Sequence, residues 1–363
     1  MAKHRGAWDR GDSFDDQYNR SQQRAASKKQ AGRGPYSADK WLAGAGEIRP
    51  ADRRGGGGGG NKNEGCGKAT VAFLTILGGI AFLLGPAAGE AHSADTFPSQ
   101  DACRVTNNNT PSGDCGPFKQ LWRESFNSEQ VAVGKFSNCA GDFDHRCEGL
   151  AGTRYYDTVG AYPNGWPDTA ASGADGNQGP VPGYYRPQST ISVIKQSNDD
   201  GQLRVKMTSN GTVNKVAAVV PRKCMNLRYG KFTERFVVRQ LTPGFKMAHL
   251  RYRDGGEVDY PEAGQTFAGD PVSVFTHGFA EDSKDDAANA SWLSWHTYST
   301  EIVPGQLRFY LDGKLVKTVT GDYPEPADWV LQNESALGDV AGAAPGSSVT
   351  IDTTWLTCYK YQP

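Results

Sequence analysis

Three carboxyl groups stand within one apolar, strand-like run, Gly256-Glu257-Val258-Asp259-Tyr260-Pro261-Glu262, and the rest of the chain has to fold around them. Neighbouring side chains on a strand point to opposite faces, so Glu257 and Asp259 share a face and Glu262 falls on the other. One extra residue in the strand brings it back. Pro261 has no backbone donor and is tolerated in sheets at bulges and edges, so a bulge around Tyr260-Pro261 is expected, with all three carboxyls on one face. Like charges aligned in this way oppose folding. They suit a site where one carboxylate attacks and another shares a proton, which is the two-carboxylate requirement of glycoside hydrolysis. The bare E-x-D-x-x-E spacing is also what a solvated edge strand or a turn can carry, so the flanking sequence decides.

From about residue 116 onward, turn signals separate short segments of alternating polarity, the pattern of an all-β sandwich. Gln202–Thr208 alternates cleanly, with Leu203, Val205 and Met207 expected inward. Gln306–Leu311, Asp312-Gly313 and Lys314–Val319 read as a hairpin whose Asp-Gly turn suits a type I′ loop. Val349, Ile351, Thr353, Trp355, Thr357 and Tyr359 are expected to share one face of a long closing strand. No helical period or repeat appears beyond residue 88. A concave sandwich can hold a polymer in an open groove, with aromatic rings as platforms for sugars. Trp166, Tyr184, Tyr185, Tyr252, Trp292, Trp295 and Tyr298 are the candidates, although core or rim packing is the expectation for any single one of them.

Composition bears on what precedes this domain. The 363 residues include 45 Gly, and residues 1–68 are polar, with six consecutive glycines from Gly55 to Gly60. Such a segment cannot bury enough apolar surface to offset its ordering entropy, so a disordered tail is expected. Ala69–Ala88 carries no charge and is long enough to span a bilayer as a helix at about 1.5 Å per residue. Lys62 and Lys68 precede it while Glu90 and Asp95 follow, which puts the N-terminus in the cytoplasm. A long cleaved leader is the competing reading of the same stretch, and would leave the remainder secreted.

The net charge of −1 hides an asymmetry, since residues 1–68 carry 14 Lys+Arg against 8 Asp+Glu and the remainder 25 against 32. An acidic outer domain without a basic stripe argues against a nucleic-acid partner. Cys66 lies before the apolar stretch and six cysteines lie after it, a number that allows 15 pairings. The expectation is Cys103–Cys115, Cys139–Cys147 and Cys224–Cys358, two short loops and one long closure in an oxidising compartment.

Several landmarks follow one another in order. They are Arg228-Tyr-Gly-Lys-Phe-Thr-Glu-Arg235, Gly244-Phe-Lys246, Gly256–Glu262, His277, Trp295-His-Thr-Tyr298, Leu307–Gly313 and Gln332-Asn-Glu334. In that order and spacing the chain resembles glycoside hydrolase family 16, the laminarinase-like and lichenase-like β-glucanases, and within it bacterial members with the bulged motif. The resemblance covers roughly residues 116–361. It implies a β-jelly-roll (concanavalin-like) sandwich. Together with the tail and the apolar stretch, this gives an expected domain order of 1–68 disordered cytoplasmic tail, 69–88 transmembrane signal-anchor, 89–115 spacer and 116–363 catalytic domain.

The resemblance also implies retaining hydrolysis of a β-glucan-like polysaccharide, with Glu257 as nucleophile, Glu262 as general acid/base and Asp259 orienting the nucleophile. Trp295 is expected to help line the groove, and His277, Gln332, Glu334, Tyr252 and Trp166 to meet substrate. A structural calcium ion would rest on the resemblance alone; no cofactor is expected, and the domain is expected to be a monomer. Where many relatives carry aromatic or aliphatic residues before the motif, this chain has His249, Arg251 and Tyr252, which would suit an anionic or substituted glycan. A carbohydrate-binding protein without turnover and a transglycosylase of the cell's own envelope glycan are the alternatives.

Overall fold

The computed structural model describes residues 103, 106–141, 144–174, 177–195, 200–253, 256–267, 271–278 and 283–363. The tail and the apolar stretch 69–88 lie outside these residues. Among the described residues no helix is long and apolar enough to cross a membrane.

Among the described residues, sixteen strands form two sheets that share one member. The first sheet runs in the order β11 (Ser283–Ala288), β10 (Val272–His277), β9 (Gly256–Glu262), β8 (Phe245–Arg253), β15 (Asp328–Ser335) and β6 (Asn214–Pro221). The second continues through β5 (Gly201–Ser209), β16 (Ser348–Tyr361), β7 (Gly230–Gln240), β12 (His296–Val303), β13 (Gln306–Leu311) and β14 (Lys314–Thr320). Strand β6 belongs to both. Its first residues pair with β5 and, in parallel, with β3 (Gly183–Tyr185), and its last with β15 and β2 (Val159–Ala161). Two further strands add to the second sheet, β1 (Phe118–Glu124) on β16 and β4 (Ile191–Lys195) on β5. This is the expected all-β jelly-roll sandwich.

Rings from both sheets meet in the core. Tyr260 of β9 packs edge-on against Tyr298 of β12 and Phe309 of β13 at centroid distances of 6.0 and 5.3 Å, and Phe232 of β7 meets Trp329 of β15 at 5.7 Å. Such contacts add about 0.5–1.5 kcal/mol each beyond the area they bury. Tyr298 and Trp292 are therefore core residues, not sugar platforms. The Asp312-Gly313 turn has φ of +48° and +73°, as a type I′ hairpin requires, and Gln202–Thr208 lies within β5 with Leu203, Val205 and Met207 buried.

One strand departs from its expected alternation. Along β16 the pairing with β7 runs Thr353 to Phe236 and then Trp355 to Arg235, so one residue of β16 is skipped. That bulge flips the faces. Val349 and Ile351 point into the core with Phe236, but beyond the bulge Leu356 and Cys358 take over, while Trp355 sits on the outer side, where its indole donates to the Asn107 carbonyl at 3.0 Å. Strict alternation over eleven residues fails because a long central strand absorbs its twist in a bulge.

Three disulfides join Cys103 to Cys115, Cys139 to Cys147 and Cys224 to Cys358, as expected. The last ties the turn after β6 to β16 across a separation of 134 residues.

Candidate active site

The bulge in β9 is where the sequence put it. On β8 the partners of Glu257, Asp259 and Glu262 are Tyr252, Leu250 and Ala248, and on β10 they are His277, Phe275 and Ser273. Both neighbours advance by two residues while β9 advances by three between Asp259 and Glu262. The extra residue falls at Tyr260-Pro261, whose peptide bond is cis. Val258 and Tyr260 fill the core, so the three carboxyls all face away from it.

Cross-strand pairing arranges this outer face in rows. The first holds Asp328, Tyr252, Glu257 and His277, the second Val330, Leu250, Asp259 and Phe275, and the third Gln332, Ala248, Glu262 and Ser273. Lys246 and Glu334 face one another in the next. Cross-strand neighbours lie about 4.5–5.5 Å apart and successive rows about 6.6 Å, so both glutamates must lean over Asp259 to act on one bond. A segment between residues 145 and 185 walls one side. Tyr162 packs among His145, Trp166 and Tyr185, tilted or edge-on, with centroid distances of 5.1, 5.6 and 5.2 Å.

The burial of this row governs its chemistry. Asp259 and Glu262 are buried, and Glu257 keeps part of its surface open to solvent. Burial, and then the charge of Asp259, hold Glu257 well above the usual carboxylate range. Asp259 is raised well above its usual value by burial and then by Glu262. His277, the cross-strand partner of Glu257, has its Nε2 3.3 Å from Asp259 Oδ2. Burial also raises Glu262, against the pull of Lys246, whose ammonium lies 2.7 Å from Glu262 Oε1. Carboxyls this close titrate as a set, with protons distributed among them rather than owned by one.

Of the residues singled out in the sequence, Glu257, Asp259, Glu262, His277, Gln332 and Glu334 come together on this face. Gln332 shares the row of Glu262. Glu334 is not free to meet substrate, since its Oε1 accepts from Tyr185 Oη at 2.8 Å, Thr169 Oγ1 at 2.9 Å and the Thr169 amide at 3.2 Å. Tyr252 is 46% exposed at the rim beside Glu257. Trp166 packs against Tyr162 in this wall.

Two expectations are corrected. Trp295 does not line this face. It precedes β12 in the other sheet, where the guanidinium groups of Arg235 and Arg239 cover its ring at 5.7 and 5.0 Å. Arg235 points away from the core, since its neighbours Glu234 and Phe236 point into it, and Trp295 follows Arg235 outward. His249 and Arg251 likewise do not reach the carboxylate face, because they alternate with Ala248, Leu250 and Tyr252. His249 Nδ1 bonds Glu234 between the sheets, and Arg251 stacks 3.7 Å over Phe232 and donates to the carbonyls of Leu227 and Ala327. Burial pulls the Arg251 guanidinium down to about 10. An anionic glycan therefore finds no partner in either residue.

Lys246 enters the sequence reading only within the Gly244-Phe-Lys246 landmark, without a role, and Tyr162 not at all. Neither has a local signal: Lys246 joins the site only once β8 is seen to send even-numbered residues outward, and Tyr162 arrives from a loop about 95 residues upstream. Among the described residues no group of three or more His, Cys, Asp or Glu is placed to hold a metal ion.

No model of a known protein family matches the sequence, and no curated protein matches it. Solved structures resemble it in fold. A β-1,3-glucanase from Mycobacterium marinum is 15% identical, with 66% of this chain and 98% of that one covered and a TM-score of 0.45. A pseudo-β-1,3-glucanase of Mycobacterium tuberculosis is 16% identical, with coverage of 66% and 98% and a TM-score of 0.46. A Bacteroides ovatus enzyme of glycoside hydrolase family 16, solved with a mixed-linkage glucan product, is 17% identical, with coverage of 66% and 99% and a TM-score of 0.46.

Proposed function

We propose that the chain is a retaining endo-β-glycosidase that cleaves a β-glucan-like polysaccharide outside the membrane, acting as a monomer. The observation that carries this reading is the alignment of Glu257, Asp259 and Glu262 on one partly buried face by a single bulge. Glu257 attacks the anomeric carbon while Glu262 gives its proton to the leaving oxygen; water then displaces Glu257 and returns a proton to Glu262. Asp259, on the same face as Glu257 and 3.3 Å from His277 Nε2, holds the attacking oxygen in place. The three disulfides support the extracytoplasmic assignment, because such bonds persist in oxidising compartments. The tether proposed for residues 69–88 would keep the domain at the cell surface.

The test compares wild type with Glu257→Gln on laminarin, lichenan and other β-glycans, and records the anomer first released by the wild type by proton NMR. Retained configuration and loss of activity in the variant support the reading. Equal activity, or inverted product, overturns it.

A second reading has one observation in its favour. The ion pair with Lys246 favours the carboxylate form of Glu262, the form that cannot protonate a leaving group, and a site held there would bind glycan without turnover. Binding across a glycan panel with no product released would support it.

A further inference from the structure

We infer that Lys246 is a positioning residue for Glu262, fixing its carboxyl group in the site and carrying its negative charge between the two halves of the reaction. This rests on the hydrolase reading above. Strand β8 presents Lys246, Ala248, Leu250 and Tyr252 to the carboxylate face, and Lys246 is the one base among them. Ala248 lies directly opposite Glu262. Its methyl group leaves the diagonal open, and through that gap the Lys246 ammonium reaches Glu262 Oε1 at 2.7 Å with both groups buried.

An ammonium at this depth gives up its hydration, a cost that an apolar residue would avoid. Its other acidic neighbour does not require it. Glu334, paired with Lys246 across β15, already takes three hydrogen bonds from Tyr185 and Thr169. The groups facing Glu262 are Lys246 from β8, Glu334 from β15, His277 from β10 and Asp259 from its own strand. Lys246 alone among them makes a direct contact that offsets its charge.

The chemistry needs such a partner. When Glu257 bonds to the anomeric carbon and the glycosidic C–O bond breaks, the proton of Glu262 leaves on the departing sugar. Glu262 is then an anion in a dry site beside two more carboxyls. It must stay so until a water oxygen bonds to the anomeric carbon, Glu257 departs and the water's proton passes to Glu262. Lys246 stabilises the charge over that interval. It also limits the alkaline range, because a stabilised carboxylate gives up its acid form at lower pH.

The experiment uses wild type, K246M, K246Q and K246R. Carbon-13 NMR of labelled glutamate carboxyls, assigned with E262Q, reads the titration of Glu262 directly. The midpoint is expected to rise by about one pH unit or more in K246M and K246Q and to stay near wild type in K246R. An unmoved midpoint in both neutral variants overturns the proposal, whether or not the protein turns over any glycan. The pH profile of kcat on the cleaved β-glucan is expected to move its alkaline limb upward with the same variants, while the best kcat falls about tenfold or more and KM stays within about twofold. A raised KM with an unmoved limb overturns it too. A shifted midpoint in a protein that cleaves nothing supports the charge pairing and sinks the hydrolase reading instead.

Discussion

His249 Nδ1 lies 2.8 Å from both carboxylate oxygens of Glu234, and both side chains are buried between the two sheets. The pair spans the sandwich from β8 to β7, against the face of Phe236. Removing one member strands the other without a partner. His249→Leu is expected to cost about 3–5 kcal/mol in chemical denaturation, and the double variant with Glu234→Leu to recover a large part of it. A double variant as unstable as the single one would show that packing, not pairing, holds this point.

The raised carboxyls of the candidate site make stability depend on pH. A folded-state pKa above the unfolded value means the native protein binds the proton more tightly, so the stabilisation is complete below the unfolded pKa and is lost as pH rises through the folded one. For Glu257 and Asp259 that window opens near pH 4 and extends upward. Asp259→Asn removes one of the two charges and is expected to stabilise the domain by about 1–3 kcal/mol at pH 8 while abolishing most activity. Denaturation at pH 4 should show the gain gone; a gain of equal size at both values would rule out a charge effect.

Aromatic residues on the two sheets should behave differently. Tyr252, exposed beside Glu257, is placed to stack on a sugar, and Tyr252→Ala is expected to raise KM for glucan about tenfold, the equivalent of about 1.4 kcal/mol. Trp295, held over Arg235 and Arg239 on the opposite sheet, should leave KM within about twofold when replaced by Ala. Reversed outcomes would place the substrate on the wrong sheet.

The disulfides should contribute according to the chain they close. On loop entropy alone, the 134-residue closure by Cys224–Cys358 is worth about 5 kcal/mol and the 8-residue loop of Cys139–Cys147 about 2.5. Paired Ser variants, compared by denaturation midpoint, should rank in that order.

What the sequence made legible was local. Alternation identified β5 and the hairpin after Gln306, and the proline between Asp259 and Glu262 located the bulge that aligns the carboxyls. What it hid depends on partners distant in the chain. The bulge in β16 has no proline to mark it, so Trp355 was assigned to the wrong face. The face taken by Trp295 is fixed by Arg235 on β7, and nothing near residue 295 encodes that. Lys246 and Tyr162 reach the carboxylates only through strand pairing and a returning loop.

The added residue in β9 lets two chain lengths build the same row of acids. Delete Pro261 alone and the bulge has nothing left to absorb: Glu262 then follows Asp259 by two residues, and plain alternation keeps it on the same side of the sheet. Delete Val258 instead and Glu257 and Asp259 become neighbours on opposite sides. A shortening at the bulge should therefore spare the site, while a shortening one turn of the pleat earlier should destroy it.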